Sequence, residues 1–98
     1  MTYELHSTEV FDDWLTDLDG SLRRRLANRL AQVESGHFGD HKALAADLFE
    51  LRCFFGGGLR LYFTQRGERI VLLLAGGDKS SQSADIARAR AMLADLED

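Results

Sequence analysis

The sequence predicts an α+β domain in the order β-α-α-β-β-β-α. This is a small, mostly antiparallel sheet with two N-terminal helices on one face and a C-terminal helix. Three observations carry the prediction. Apolar residues recur at helical spacing up to about residue 33, switch to period two between residues 49 and 75, and return to helical spacing after Gly76-Gly77. Proline is absent, so glycines and capping residues mark the boundaries. The 98 residues leave room for one domain, expected to span 1–98, and an apolar fraction of 45% is ordinary for a packed chain.

Tyr3 to Ser7 reads as a first strand. Thr8 is suited to cap a helix reaching about Leu18, with acids in its first turns and Phe11, Trp14, Leu15 and Leu18 on one face. Asp19-Gly20-Ser21 ends that helix and starts the next, whose buried stripe is Leu22, Leu26, Leu30 and Val33 and whose end is Gly36. The short joint predicts an antiparallel helical hairpin. His37 to Ala46 reads as a polar connection. Phe49–Phe55, Leu59–Thr64 and Arg69–Ala75 then read as strands joined by short turns. Ser80 or Ser81 caps a last helix with Ile86, Ala89, Leu93 and Leu96 on its inner face.

The hairpin at Gly56-Gly57-Gly58 constrains which side chains share a face. With all three glycines in the loop, Phe55 opposes Leu59 and Arg52 opposes Tyr62. Leu51, Cys53, Phe55, Leu59, Leu61 and Phe63 then make one apolar face, with Glu50, Arg52, Phe54, Arg60, Tyr62 and Thr64 on the other. A slip by one residue would drive charges into the core, which favours this register. A two-residue turn at Arg66-Gly67 would add Ile70, Leu72 and Leu74 to the apolar face and Val71 and Leu73 to the arginine face. That second face is therefore expected to be a partly sheltered concavity. Arg52, Arg60 and Tyr62 converge on it, beside the Gly76-Gly77-Asp78-Lys79 corner, where the start of a helix favours an anion. Arginine forks suit phosphate oxygens, and tyrosine can stack on a base.

A net charge of −4 argues against a general nucleic-acid binder, but the charge is uneven. Residues 1–50 hold five Lys/Arg against ten Asp/Glu, whereas residues 51–90 hold seven against three. Cys53 is a lone cysteine in an apolar run and reads as a small buried hydrophobe. With no secretory segment, the expected location is the reducing cytoplasm. The longest apolar run, Ile70 to Ala75, is too short to cross a bilayer. No metal-ligand spacing, Ser-His-Asp set or phosphate-loop pattern is present, and neither metal nor cofactor is expected.

Glu50-Leu51-Arg52, a glycine turn, and Leu59-Arg60-Leu61-Tyr62-Phe63 together resemble the ELR…YRVYF signature of RelE/HigB-like toxins. Leu72-Leu73-Leu74-Ala75-Gly76-Gly77-Asp78-Lys79-Ser80-Ser81-Gln82 resembles the LLL.GGDK..Q block of the addiction-module killer-protein branch, phage-derived toxins among them. Asp85-Ile86, Phe11-x-x-Trp14-Leu15 and Gly39-Asp40-x-Lys42-x-Leu44 fit the same branch, so the resemblance covers nearly the whole chain. It implies a RelE-like fold and a type II toxin–antitoxin toxin. Such a toxin cleaves mRNA on the ribosome without a metal, by attack of a ribose 2′-OH on the adjacent phosphate. The implied partner is a cognate helix-turn-helix antitoxin, through which alone operator DNA is reached. The chain departs from the family at Leu59, where tyrosine is usual, and in its acidic net charge.

The resemblance and the register together name Arg60 and Arg52 as phosphate clamps, Lys79 as a transition-state cation or proton shuttle, and Tyr62 as a stacking or proton-donating group. The bland alternatives are surface ion pairs for the cations and sheet packing for Tyr62. Gln82, Lys42 and His41 are further candidates for RNA contact, against helix capping and a solvated loop. Arg23 and Arg24, in the run Arg23-Arg24-Arg25, could hold RNA or form the wet side of a helix. The competing reading is a catalytically degenerate homologue kept for antitoxin binding and operon autoregulation.

Overall fold

The computed structural model describes residues 2–97, so Met1 and Asp98 of the expected span lie outside the described residues. The elements are β1 (Glu4–Ser7), α1 (Glu9–Asp17), α2 (Gly20–Glu34), β2 (His41–Ala45), β3 (Leu48–Arg52), β4 (Arg60–Arg66) and β5 (Ile70–Gly77), then a 3₁₀ turn (Lys79–Ser81) running into α3 (Gln82–Glu97). One strand more than expected is present. β2 lies in the stretch read as a polar connection and pairs antiparallel with β3. It is an edge strand with largely exposed residues, so its apolar alternation is too weak to mark it. The sheet order is β1-β5-β4-β3-β2, with β1 parallel to β5 and every other pair antiparallel.

Capping residues fix the helix starts. The Thr8 side chain accepts from the Phe11 amide at 3.1 Å, and Asp19 accepts from the Ser21 amide at 2.7 Å. Ahead of the third helix, Asp78 caps the 3₁₀ turn that contains Ser80 and Ser81. Its carboxylate accepts from the amides of Ser80 and Ser81, and Ser81 reciprocates with its hydroxyl.

The sheet separates two apolar layers. α1 and α2 cover one face, where Phe11, Leu26 and Val33 meet Leu51, Leu59, Leu61, Phe63, Val71 and Leu73. α3 covers the other, where Ala89 and Leu93 meet Leu48, Tyr62, Leu74 and Ala75. Two register details differ from the expectation. Arg52 pairs with Arg60, not Tyr62, because the chain turns through Phe54–Gly58 with all three glycines at positive φ. The shift is two residues, an even number, so each side chain keeps its expected face. In the next hairpin Arg66 pairs with Ile70 around a three-residue turn containing Gly67 at φ +64°. The odd change reverses the strand: Val71 and Leu73 pack under the helical hairpin, and Leu72 and Leu74 lie on the α3 side. A bulge between Tyr62 and Phe63 then lets Ala75 also face α3.

Gly76 and Gly77 are demanded by space. A Cβ on Gly76 would lie 2.4 Å from the Trp14 ring, and one on Gly77 would lie 1.8 Å from Asp85 Oδ2. The end of β5 is thus pinched between α1 and the first turns of α3. Gly77→Ala should destabilise the fold by about 2–4 kcal/mol in urea unfolding. Gly57→Ala meets no atom within 4 Å and should cost only about 1 kcal/mol, for its left-handed backbone. Equal costs at the two sites would contradict the packing account.

Candidate functional site

Alternation on β3 and β4 puts Glu50, Arg52, Arg60 and Tyr62 on the α3 side of the sheet, with Arg52 opposite Arg60 and Glu50 opposite Tyr62. α3 begins at Gln82 and covers the Glu50/Tyr62 row. Of the Arg52/Arg60 row, the Arg52 side chain is 37% exposed and that of Arg60 14%. Arg60 also pairs with Gly77 at the end of β5, which brings Lys79 alongside. Arg52, Arg60 and Lys79 line a cleft of about 360 Å³ together with Phe54 and Phe55.

Beneath the cleft lies Glu50, with 0% exposure. Its Oε2 accepts from Gln82 Nε2 at 2.8 Å and stands 3.9 Å from Arg60 Nε. The first turn of α3 adds the partial positive charge of a helix start, so three features offset the buried carboxylate. Arg60 is further fixed by donating from Nη1 to the Gly58 carbonyl at 2.8 Å. A Cβ on Gly58 would approach that nitrogen to 3.1 Å, so a glycine makes room for the guanidinium. Arg52 pairs with Asp40 at 3.2 Å, both groups about a third exposed. Asp78 does not neutralise Lys79: its carboxylate is turned to Ser80 and Ser81, whose hydrogen bonds hold it below the usual carboxylate range. The ion pairs among the described residues are His6–Glu4, Arg52–Asp40 and Arg60–Glu50, which leaves Lys79 outside them.

The other expected site residues fare differently. Tyr62 lies on the expected face but is 0% exposed in the layer under α3, so it is not a face on which a base can stack; the stacking role is corrected in favour of sheet packing. The partly sheltered concavity expected on this face is filled there by Ala89 and Leu93, a packing that strand alternation alone does not report. Gln82 turns inward to Glu50 instead of into the cleft. Arg23 donates to the carbonyls of Thr16 and Leu18 and closes the end of α1. Arg24 is exposed beside Asp19, and the two arginines help lower the Asp19 carboxyl, mainly held down by Ser21. Lys42 and His41 are exposed on edge strand β2 and are absent from the cleft lining. Cys53 is buried, as expected, and burial pushes its thiol up.

Phe54 was missed as a candidate, and Arg25 was weighed only within the run Arg23-Arg24-Arg25. Phe54 is 83% exposed at the rim of the cleft. The pairing pattern places it on the arginine face, but only the loop geometry shows that nothing covers it. Arg25 lies over the Phe55 ring, 4.4 Å from its centroid. It belongs to a second cleft of about 340 Å³ that shares Arg52, Cys53, Phe54 and Phe55 with the first. The chemistry of the first cleft is cationic and aromatic, with neither carboxylate nor imidazole in its lining. Among the described residues no cluster of three His, Cys, Asp or Glu side chains is placed to hold a metal ion. None of the described helices is long and apolar enough to cross a membrane.

Burial of Tyr62, reinforced by the Glu50 carboxylate, raises its phenol well above the ordinary 10.0. Above pH 10 the unfolded chain loses that proton and the folded one keeps it, so stability should fall as pH rises from there. The slope should approach 1.4 kcal/mol per pH unit in urea titrations. Tyr62→Phe should remove that component and, because the hydroxyl has no hydrogen-bond partner, should cost little at neutral pH.

Residues 13–94 match the family described as phage-derived protein Gp49-like. An uncharacterised protein of Haemophilus influenzae is 37% identical over 97 residues, spanning 98% of each chain. Among solved structures, a mutant of the Escherichia coli toxin RelE in the free state superposes with a TM-score of 0.68 at 19% identity, covering 90% of this chain and 98% of that one. RelE of the intact E. coli RelBE toxin–antitoxin complex gives 0.65 at 23% identity, covering 78% and 95%. The archaeal RelE–RelB complex from Pyrococcus horikoshii gives 0.63 at 16% identity, covering 81% and 97%. The chain belongs to the phage-derived Gp49-like family and is built on the RelE fold.

Proposed function

We propose that this chain is the toxin of a type II toxin–antitoxin pair, a cytoplasmic, single-domain endoribonuclease that cuts mRNA on the ribosome. The observation that carries the reading is the convergence of Arg52, Arg60 and Lys79 on one cleft whose lining holds no carboxylate. Its likeness in fold to RelE, a toxin found in complex with its antitoxin RelB, supports the same reading. In the proposed reaction a ribose 2′-oxygen attacks the adjacent phosphorus and the 5′-oxygen leaves. The products are a 2′,3′-cyclic phosphate and a free 5′-hydroxyl. Arg60 and Arg52 stabilise the charge on the non-bridging oxygens, and the Lys79 ammonium gives a proton to the departing oxygen. The lining offers no group to take the 2′-OH proton, so water or the surrounding ribosomal RNA must take it, in keeping with cleavage on the ribosome. A helix-turn-helix antitoxin neutralises the toxin and carries the pair to operator DNA.

The same lack of a base, and the burial of Tyr62, favour a second reading, a degenerate homologue that binds its antitoxin and represses the operon without cutting RNA. Leu59 lends that reading little. It is 3% exposed in the layer under α1 and α2, so its side chain does not line the cleft.

Induced expression of the chain alone should arrest growth and shorten cellular mRNAs. Arg60→Ala and Lys79→Ala should each lower cleavage by about 10²–10³-fold, the usual loss for a group that stabilises transition-state charge. Unimpaired growth with abundant folded protein, alongside tight antitoxin binding, would instead establish the non-catalytic reading.

A further inference from the structure

The hairpin tip between β3 and β4 carries a feature that phosphate clamping leaves unused. Phe54 projects its ring into solvent at 83% exposure, a costly position for an aromatic side chain. It stands between two clefts. Arg60 and Lys79 line one, Arg25 and Arg29 line the other, and Arg52 lines both. The two cations beyond the tip differ. Arg29 is committed to the fold, with donation to the carbonyls of Phe38, Asp40 and Arg52. Arg25 rests its guanidinium on Phe55 and takes part in no ion pair among the described residues. The one carboxylate in either lining, Asp40, is already paired with Arg52.

We propose that single-stranded RNA crosses this tip with a nucleobase stacked on Phe54 and the flanking phosphate held by Arg25, in line with the phosphate in the Arg52/Arg60/Lys79 cleft. The proposal rests on the reading of that cleft as a phosphate site and adds the strand's path and a stacking platform beyond it. An exposed ring between cations is how proteins hold unpaired bases: the ring takes the base's π-face and the cations follow the backbone. Protein docking is the poorer fit. The other exposed large apolar residues among those described, Val10 and Leu96, lie on α1 and α3 and line neither cleft, so the apolar surface at this tip is confined to Phe54 and the half-buried Phe55 and is bordered by arginines. A single strand suits the site better than a duplex, whose bases offer no free face to a side chain.

The test uses the full chain and a hexanucleotide RNA that is 2′-O-methylated at every ribose, so that it cannot be cut, with 2-aminopurine at a central position. Binding to the wild type should quench the 2-aminopurine fluorescence, the signature of stacking on an aromatic ring. Phe54→Ala should lose the quench and bind about tenfold or more weakly, whereas Phe54→Tyr should restore both. Arg25→Gln should keep the quench, weaken binding several-fold, and lower the dependence of log affinity on log salt by about one. Circular dichroism establishes that each variant is folded. If Arg60→Ala weakens binding while Phe54→Ala binds and quenches like the wild type, the phosphate cleft stands and the stacking platform is overturned. If neither substitution alters binding, both fall. If Phe54→Ala keeps its RNA affinity but no longer retains the co-expressed product of the adjacent gene, Phe54 is a protein anchor and the proposal is overturned.

Discussion

A carboxylate shut away from water beneath a sheet must be balanced, and the balance at Glu50 organises the cleft. Its partners arrive from two elements: Arg60 from the neighbouring strand, and the Gln82 amide from the start of α3. The charge therefore does two things at once. It ties the C-terminal helix to the sheet, and it holds one guanidinium in the lining of the cleft. Had Glu50 been apolar, Arg60 would lose its ionic partner and be held by the Gly58 carbonyl alone, with more of the entropic cost of fixing its rotamer falling on the ligand. In this fold that cost is met during folding.

The position of Lys79 follows from a different constraint. Gly76 accepts the face of Trp14 and Gly77 accepts Asp85, so the end of β5 is clasped from both sides of the sheet. Asp85 is itself buried and accepts from the Ser81 hydroxyl, while Asp78 caps the turn that leads into α3. With strand end, cap and helix start all fixed, the one residue between Asp78 and Ser80 has little choice of direction. Lys79 is directed to the cleft by its neighbours' packing, although its own side chain is exposed. The triple-glycine bend completes the rim. Its left-handed backbone brings Phe54 and Phe55 beside the arginines and leaves room for the Arg60 guanidinium at Gly58.

Much of this was legible from residue types and spacing. Helix starts at Thr8 and Asp19 announce themselves by capping chemistry, and the placing of Arg52 and Arg60 on one face survived an incorrect pairing because an even register shift preserves faces. The β4–β5 hairpin shows the opposite case. One turn residue more than expected reversed Val71 to Leu74, and in a strand apolar on both sides no polar residue marks the error. β2 escaped notice because an edge strand requires little apolar surface. Tyr62 and Gln82 were misjudged for a related reason. Alternation assigns a face, but it does not say which part of that face a distant helix will cover, and α3 covers these two while sparing Arg52 and Arg60. The exposure of Phe54 is a property of the loop's path, which three consecutive glycines leave undetermined by sequence.

The account depends most on the coupling between Glu50 and Arg60, and a double-mutant cycle in folding stability measures it directly. Glu50→Gln, Arg60→Gln and the double variant should show a favourable interaction of about 1–3 kcal/mol, with Arg60→Gln alone the costlier change because it strands a buried charge. Additive effects, with a coupling near zero, would mean that Glu50 does not hold Arg60 in place, and the cleft would need another explanation.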